Sequence, residues 1–107
     1  MSIAEQYIEA VNQADIHRLM KLFSPTASLL HPAGVFTDPD AIRNFYESVV
    51  FAGKAVTEIQ AKFTDGDAEI VQIRASSPLG EPGNYVHAAD VFQIRDGLIE
   101  QLDIYYR

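Results

Sequence analysis

The chain has 107 residues, 48% of them hydrophobic, enough for one compact domain with a real core. It contains no apolar run long enough for a membrane helix, and its start, Met1-Ser2-Ile3-Ala4-Glu5, lacks the basic and apolar stretches of a signal peptide. A formal charge of −7 argues against a nucleic-acid partner, and the absence of cysteine excludes disulfides, thiolate metal sites and a cysteine nucleophile.

Ser2 and Glu5 fit an S-x-x-E capping box, after which Ile3, Tyr7, Ala10, Val11 and Ala14 recur at helical spacing. Asp15 is placed to cap a second, short helix with apolar positions Ile16, Leu19, Met20 and Phe23, stopped by Ser24-Pro25. A brief strand over 27–31 runs into the turn Pro32-Ala33-Gly34. Asp38 then caps a third helix with Pro39 at its first position, and the buried stripe expected there is Ile42, Phe45, Tyr46 and Val49. Strands are expected over 56–64, 68–76, 84–95 and 98–106, with Asp65-Gly66 and Asp96-Gly97 marking hairpin turns and 77–83 forming a longer, stiffened loop. Helices followed by antiparallel strands predict an α+β fold, and with no repeat or linker the domain spans 1–107.

One residue departs from this pattern. On the strand over 84–95 one face carries Val86, Ala88, Asp90, Phe92 and Ile94, and the other Tyr85, His87, Ala89, Val91 and Gln93. A carboxylate between Ala88 and Phe92 is costly unless it is paired or protonated, so Asp90 marks either a functional site or a local structural bond. The last hairpin tests this. A two-residue Asp96-Gly97 turn would put Asp103 on the face of Asp90. A three-residue turn, Arg95-Asp96-Gly97, pairs Ile94 with Leu98 and groups Leu98, Leu102, Ile104 and Tyr106 with Val86, Phe92 and Ile94. Register follows the hydrophobic pattern, so the three-residue turn is expected, with Glu100 inward near the turn and Asp90 the lone acid at mid-strand.

Three further polar-tipped residues lie on apolar faces: Tyr7 on the first helix, Tyr46 on the third, and His31 beside Ala27 and Leu29. Each alone is more simply a core or edge residue; with Asp90, four such residues converge on one small core. His17, His87 and Arg74 read as surface groups, and no metal, phosphate-loop or nucleophile-elbow motif is present.

The segments QYIEAVNQAD, SPTASLLHPAG, DPDAIRNFYESV and HAADVFQIRDGLIEQLDIYYR, in this order, resemble the first helix, first strand and turn, third helix and closing hairpin of the NTF2-like superfamily, in particular its ketosteroid isomerase and SnoaL-like branch. The resemblance covers nearly the whole chain. It implies an NTF2-like (cystatin-like) cone, a curved antiparallel sheet packed on three N-terminal helices around an apolar pocket. It also implies roles: Tyr7 as the tyrosine that bonds a substrate carbonyl, Asp90 as a neutral acid supplying a second oxyanion donor, and Tyr46 as a supporting tyrosine. Phe23 stands where a further network tyrosine can occur, and His31 replaces the family's carboxylate base. The behaviour of such a protonated aspartic acid is a known property of ketosteroid isomerase. A neutral His31, with an ordinary pKa of about 6.5, is suited to take a proton at neutral pH.

The expected function is therefore a small acid–base enzyme, an isomerase or cyclase acting on an apolar carbonyl compound through Tyr7, His31 and Asp90, without cofactor or metal. The alternative is a binding module that holds an apolar small molecule without turnover. Association is a third possibility, since family members commonly dimerise through the outer sheet face, here including Tyr85, His87 and Val91. A soluble cytoplasmic protein is the default expectation, with no nucleic-acid or membrane partner.

Overall fold

The capping box forms at the first turn: the Glu5 N–H donates to Ser2 Oγ at 3.2 Å and the Ser2 N–H to Glu5 Oε1 at 2.9 Å. It starts α1 (Ile3–Asn12) in a computed structural model that describes all 107 residues. Two distant contacts fix this helix across the sheet. The Ala4 N–H donates to Glu69 Oε1 at 3.0 Å, satisfying one of the free amides of the helix start. At the other end Asn12 pairs with both backbone groups of Thr57, its Nδ2 donating to the carbonyl at 2.9 Å and its Oδ1 accepting the N–H at 2.8 Å.

Asp15 caps α2 (Ile16–Met20), accepting the Arg18 N–H at 3.1 Å. The helix ends before Phe23, which instead opens β1 (Phe23–His31). Strand β6 (Leu98–Tyr106) offers a partner there: the Ile99 N–H donates to the Leu22 carbonyl at 2.7 Å and Phe23 pairs with Ile99. Irregular pairing between Phe23 and Ser28 surrounds Pro25, which has no N–H to donate. A short β2 (Gly34–Phe36), too brief to be legible in the sequence, closes a tight hairpin on β1, with His31 opposite Gly34.

Asp38 caps α3 (Pro39–Phe45) as expected, accepting the Ala41 N–H at 2.9 Å. The helix then widens into a π-helical segment, Tyr46–Phe51. The wider turn rotates the apolar stripe: Ile42, Phe45 and Tyr46 are buried, but Val49 is 54% exposed, and Val50 and Phe51 pack on the core instead. The expected burial of Val49 is corrected accordingly, though Val49 still borders the cavity.

Strands β3 (Val56–Asp65), β4 (Ala68–Ser76), β5 (Val86–Arg95) and β6 complete a curved, unclosed sheet in the order β2-β1-β6-β5-β4-β3. The sheet is mixed rather than wholly antiparallel, because β1 runs parallel to β6. These two strands are far apart in sequence, so no hairpin forces them to oppose. Since β3 is an edge strand, the grip of Asn12 on Thr57 also covers exposed ladder groups.

The final hairpin differs from the expected three-residue turn. Arg95 pairs with Leu98 across a two-residue turn in which Asp96 and Gly97 have φ of 53° and 76°, the pairing that suits strand twist. A bulge between Gln93 and Ile94 and the opposing segment 99–101 then shifts the ladder by one residue. Beyond it Phe92 faces Leu102, Asp90 faces Ile104 and Ala88 faces Tyr106, so the expected facing groups hold there. Before the bulge Ile99, not Leu98, is fully buried. Glu100 does not enter the pocket; it accepts the Thr26 hydroxyl at 2.8 Å near the surface.

The core lies between the inner sheet face, with Leu29, Val71, Phe92 and Leu102 fully buried, and the inward faces of the helices, with Leu19, Ile42 and Tyr46. No helix is long and apolar enough to cross a membrane.

Candidate functional site

A cavity of about 450 Å³ opens between α1, the π-helical segment and the inner faces of β4, β5 and β6. Tyr7, His31, Tyr46 and Asp90 all line it. Its other walls are mostly apolar, with Ile8, Val11, Val50, Ile73, Ala88 and Ile104; Thr57, Ser76 and Asn84 add polar groups, and Leu79 and Glu81 of the 77–83 loop border it. Asp90 and Glu81 are its only Asp or Glu residues, and it holds no Lys or Arg. No group of three or more His, Asp or Glu side chains is placed to hold a metal ion.

Asp90 is 2% exposed, and its Oδ1 is enclosed without a hydrogen-bond partner. Strand alternation places it: Val71 and Ile104, its cross-strand neighbours on the same face, and Phe92, two residues on, leave no donor beside it. Burial without a compensating partner pushes its pKa from 3.8 up to about 7.

Tyr7 and Tyr46 are buried and bonded to each other, hydroxyl to hydroxyl, at 2.7 Å. Their rings meet edge to face with centroids 6.0 Å apart, and Tyr7 meets Phe92 the same way at 5.2 Å. Phe23 packs on both tyrosines, at 6.5 Å from Tyr7 and 6.2 Å from Tyr46, contributing a ring but no hydroxyl. Burial holds both tyrosine pKa values above the ordinary range, so both keep their protons. Two hydroxyls share one mutual hydrogen bond, so one O–H remains free to donate.

His31 ends β1 at the far side of the cavity. Its ring lies between Phe45, 4.7 Å away by centroids, and Tyr106, 5.2 Å away and nearly perpendicular. The Ala33 N–H donates to Nδ1 at 3.0 Å, and Nε2 lies 2.8 Å from the Tyr106 hydroxyl. Burial lowers its pKa, favouring the neutral ring. In that neutral ring Nδ1 is the acceptor, so Nε2 carries the hydrogen. The ring is neutral, as expected from the sequence, but its acceptor nitrogen is occupied by the Ala33 amide.

Tyr106 also lines the cavity, half-exposed at its mouth. Its inward parity was legible in the alternation of Leu102, Ile104 and Tyr106, but nothing in the sequence paired it with His31, 75 positions away.

A SnoaL-like domain model matches residues 4–102. The chain belongs to the SnoaL-like family. Its fold is the NTF2-like (cystatin-like) one that ketosteroid isomerase-like proteins share. Among solved structures it is similar to a candidate polyketide cyclase from Sinorhizobium meliloti, with 27% identity and a TM-score of 0.85 over 95% of this chain and 92% of that one. It also resembles SalBIII, an epoxide hydrolase/cyclase-like enzyme in pyran ring formation of the polyether salinomycin, at 23% identity and TM-score 0.84, covering 98% and 88%. A candidate ketosteroid isomerase from Kribbella flavida, at 13% identity and TM-score 0.85, covering 98% and 75%, shares the fold. No curated protein matches the chain by sequence.

Proposed function

We propose that this SnoaL-like protein is an acid–base enzyme that moves a proton on a neutral, apolar carbonyl compound held in the cavity, as an isomerase or cyclase. The observation that carries this reading is Asp90: a buried carboxyl with a partnerless oxygen, lining an apolar cavity and titrating at about 7. A group whose pKa matches the working pH is best suited both to give and to take a proton. The free hydroxyl proton of the Tyr7–Tyr46 pair supplies a donor for negative charge developing on the carbonyl oxygen. With no Lys or Arg among its walls, and with Asp90 and Glu81 there, the cavity disfavours a carboxylate ligand and suits a neutral one. The cyclase and ketosteroid isomerase descriptions of the similar structures support the same class of chemistry, and proton transfer of this kind needs no cofactor.

The test is turnover. The protein is expected to convert a β,γ-unsaturated ketone to its conjugated isomer, or to cyclise a polyketide-like ester. Asp90→Asn is expected to lower that rate by roughly 10²- to 10⁴-fold. A substrate panel that is bound but never converted would move the assignment to the second reading, a binding module for an apolar small molecule. The occupied acceptor nitrogen of His31 is the observation that favours it.

A homodimer through the outer sheet face belongs to the same proposal. Phe63, Ile70 and Val91 form an apolar row there across three strands, with Phe63 56% and Ile70 37% exposed. Sedimentation of the protein and of Phe63→Glu checks it, with a monomeric wild type as the negative result.

A further inference from the structure

We propose that Tyr106 is a ligand-facing hydrogen-bond donor of this cavity, and that His31 is its positioning residue, not the acceptor of the transferred proton. The inference rests on the reading of the cavity as a site for an apolar, oxygen-bearing ligand.

The reasoning starts from the β1–β2 hairpin. Its turn is Pro32-Ala33, flanked by the His31–Gly34 pair. Pro32 has no N–H, so Ala33 supplies the first amide of the turn. That amide folds back onto His31 Nδ1 at 3.0 Å, as an Asn or Asp side chain bonds the amide two residues on. A backbone N–H donates and cannot accept, so Nδ1 must hold the lone pair. The neutral imidazole then has its only hydrogen on Nε2, aimed at the Tyr106 hydroxyl 2.8 Å away. Tyr106 Oη accepts that bond, and its own proton is left to point elsewhere.

The tyrosine is placed to use it in the cavity. Ala88 faces Tyr106 and Asp90 faces Ile104 on the β5–β6 pair, so Tyr106 and Asp90 are diagonal neighbours on one sheet face. Such pairs stand roughly 7–8 Å apart, a separation that lets one ligand oxygen or two adjacent ones approach both groups. Burial and the nearby Asp90 carboxyl raise the Tyr106 pKa, which keeps its proton on. Every hydrogen bond in the chain Ala33 N–H to His31, His31 Nε2–H to Tyr106, and Tyr106 O–H to ligand then runs in one direction. A base role for His31 would need the opposite tautomer, with Nδ1–H pressed against the Ala33 N–H.

Nitrogen NMR of the His31 ring and binding of 2-naphthol, a small apolar phenol followed by its fluorescence, test the two halves. The ring is expected to show a protonated Nε2 and a bare Nδ1 at neutral pH. Tyr106→Phe is expected to weaken 2-naphthol binding by about three- to tenfold, the worth of one hydrogen bond. His31→Gln, which can keep an N–H near the Nε2 position, is expected to retain most of that affinity. His31→Ala is expected to lose as much as Tyr106→Phe, and in the Tyr106→Phe background to cost nothing more. In turnover of the β,γ-unsaturated ketone, His31→Gln should lose no more rate than Tyr106→Phe and should keep the pH profile of the wild type. An Nδ1-protonated ring, unchanged binding in Tyr106→Phe, or His31→Gln as inactive as Asp90→Asn would each overturn the inference while leaving the cavity reading intact. Failure of the wild type to bind 2-naphthol would sink the cavity reading and the inference with it.

Discussion

Asp90 and His31, two titratable groups of the cavity wall, solve the same problem in opposite ways. Asp90 lies on a mid-sheet strand with an oxygen enclosed and unpaired, and burial raises its pKa to about 7. His31 ends a strand beside a tight turn with both ring nitrogens in hydrogen bonds, and burial lowers its pKa. Both shifts favour the uncharged form, upward for the acid and downward for the base. The apolar wall thereby imposes near-neutrality on its own polar groups. The difference lies in freedom: Asp90 has an acceptor to spare and His31 has none, so the proposed proton transfer is assigned to the carboxyl.

The largest way to break this comparison is Asp90→Asn, which removes the titrating group and keeps its shape. Besides the loss of rate, stability should respond to pH. The folded-state pKa of Asp90 lies above its unfolded value of 3.8. The folded protein therefore holds the proton more tightly, and stability is full below about pH 4. It falls as pH rises through 7, by up to about 4 kcal/mol for a shift of this size. Urea denaturation at pH 5 and pH 8 is expected to show that decline in the wild type and its loss in Asp90→Asn. Equal pH dependence in both proteins would show that Asp90 is not buried as described.

Smaller effects sharpen the role of the tyrosine pair. Tyr7→Phe or Tyr46→Phe strands one buried hydroxyl and is expected to cost about 1–3 kcal/mol in denaturant melts. The double variant should recover part of that loss, a coupling that a double-mutant cycle reads directly. Asn12→Ala removes both side-chain bonds to Thr57 and should cost about 1–2 kcal/mol, loosening the helix that carries Tyr7 over the sheet. The smallest effect comes from His31, where the sign is opposite to that of Asp90. Its folded pKa lies below the unfolded 6.5, so its contribution is full above that pH and is lost as pH falls below it. His31→Gln should flatten the acid side of the stability profile, measured by thermal unfolding between pH 5 and 7.

Much of this was legible beforehand because it rests on local chemistry. Ser2, Asp15 and Asp38 cap their helices as their side chains require, and strand alternation alone put Asp90 inward. The last hairpin shows where local reading stops. The hydrophobic pattern demanded Phe92, Leu102 and Ile104 on one face, and they share it, but through a two-residue turn corrected by a bulge rather than through a three-residue turn. Val49 shows the same limit, since a single wide turn moved the stripe by one residue.

From its own pattern the chain determined an α+β domain, an inward acid on an apolar strand and the tyrosines on the helix faces beside it. Periodicity and capping are properties of neighbouring residues, so they survive without a fold. The tertiary structure decided which polar groups meet. It set Tyr7 against Tyr46, brought Tyr106 to His31 across 75 positions and left Asp90 with an unpaired oxygen. Hydrogen-bond partners and burial depend on separate elements arriving at one point. The tautomer of His31 and the pKa of Asp90, on which the proposed chemistry turns, are products of packing.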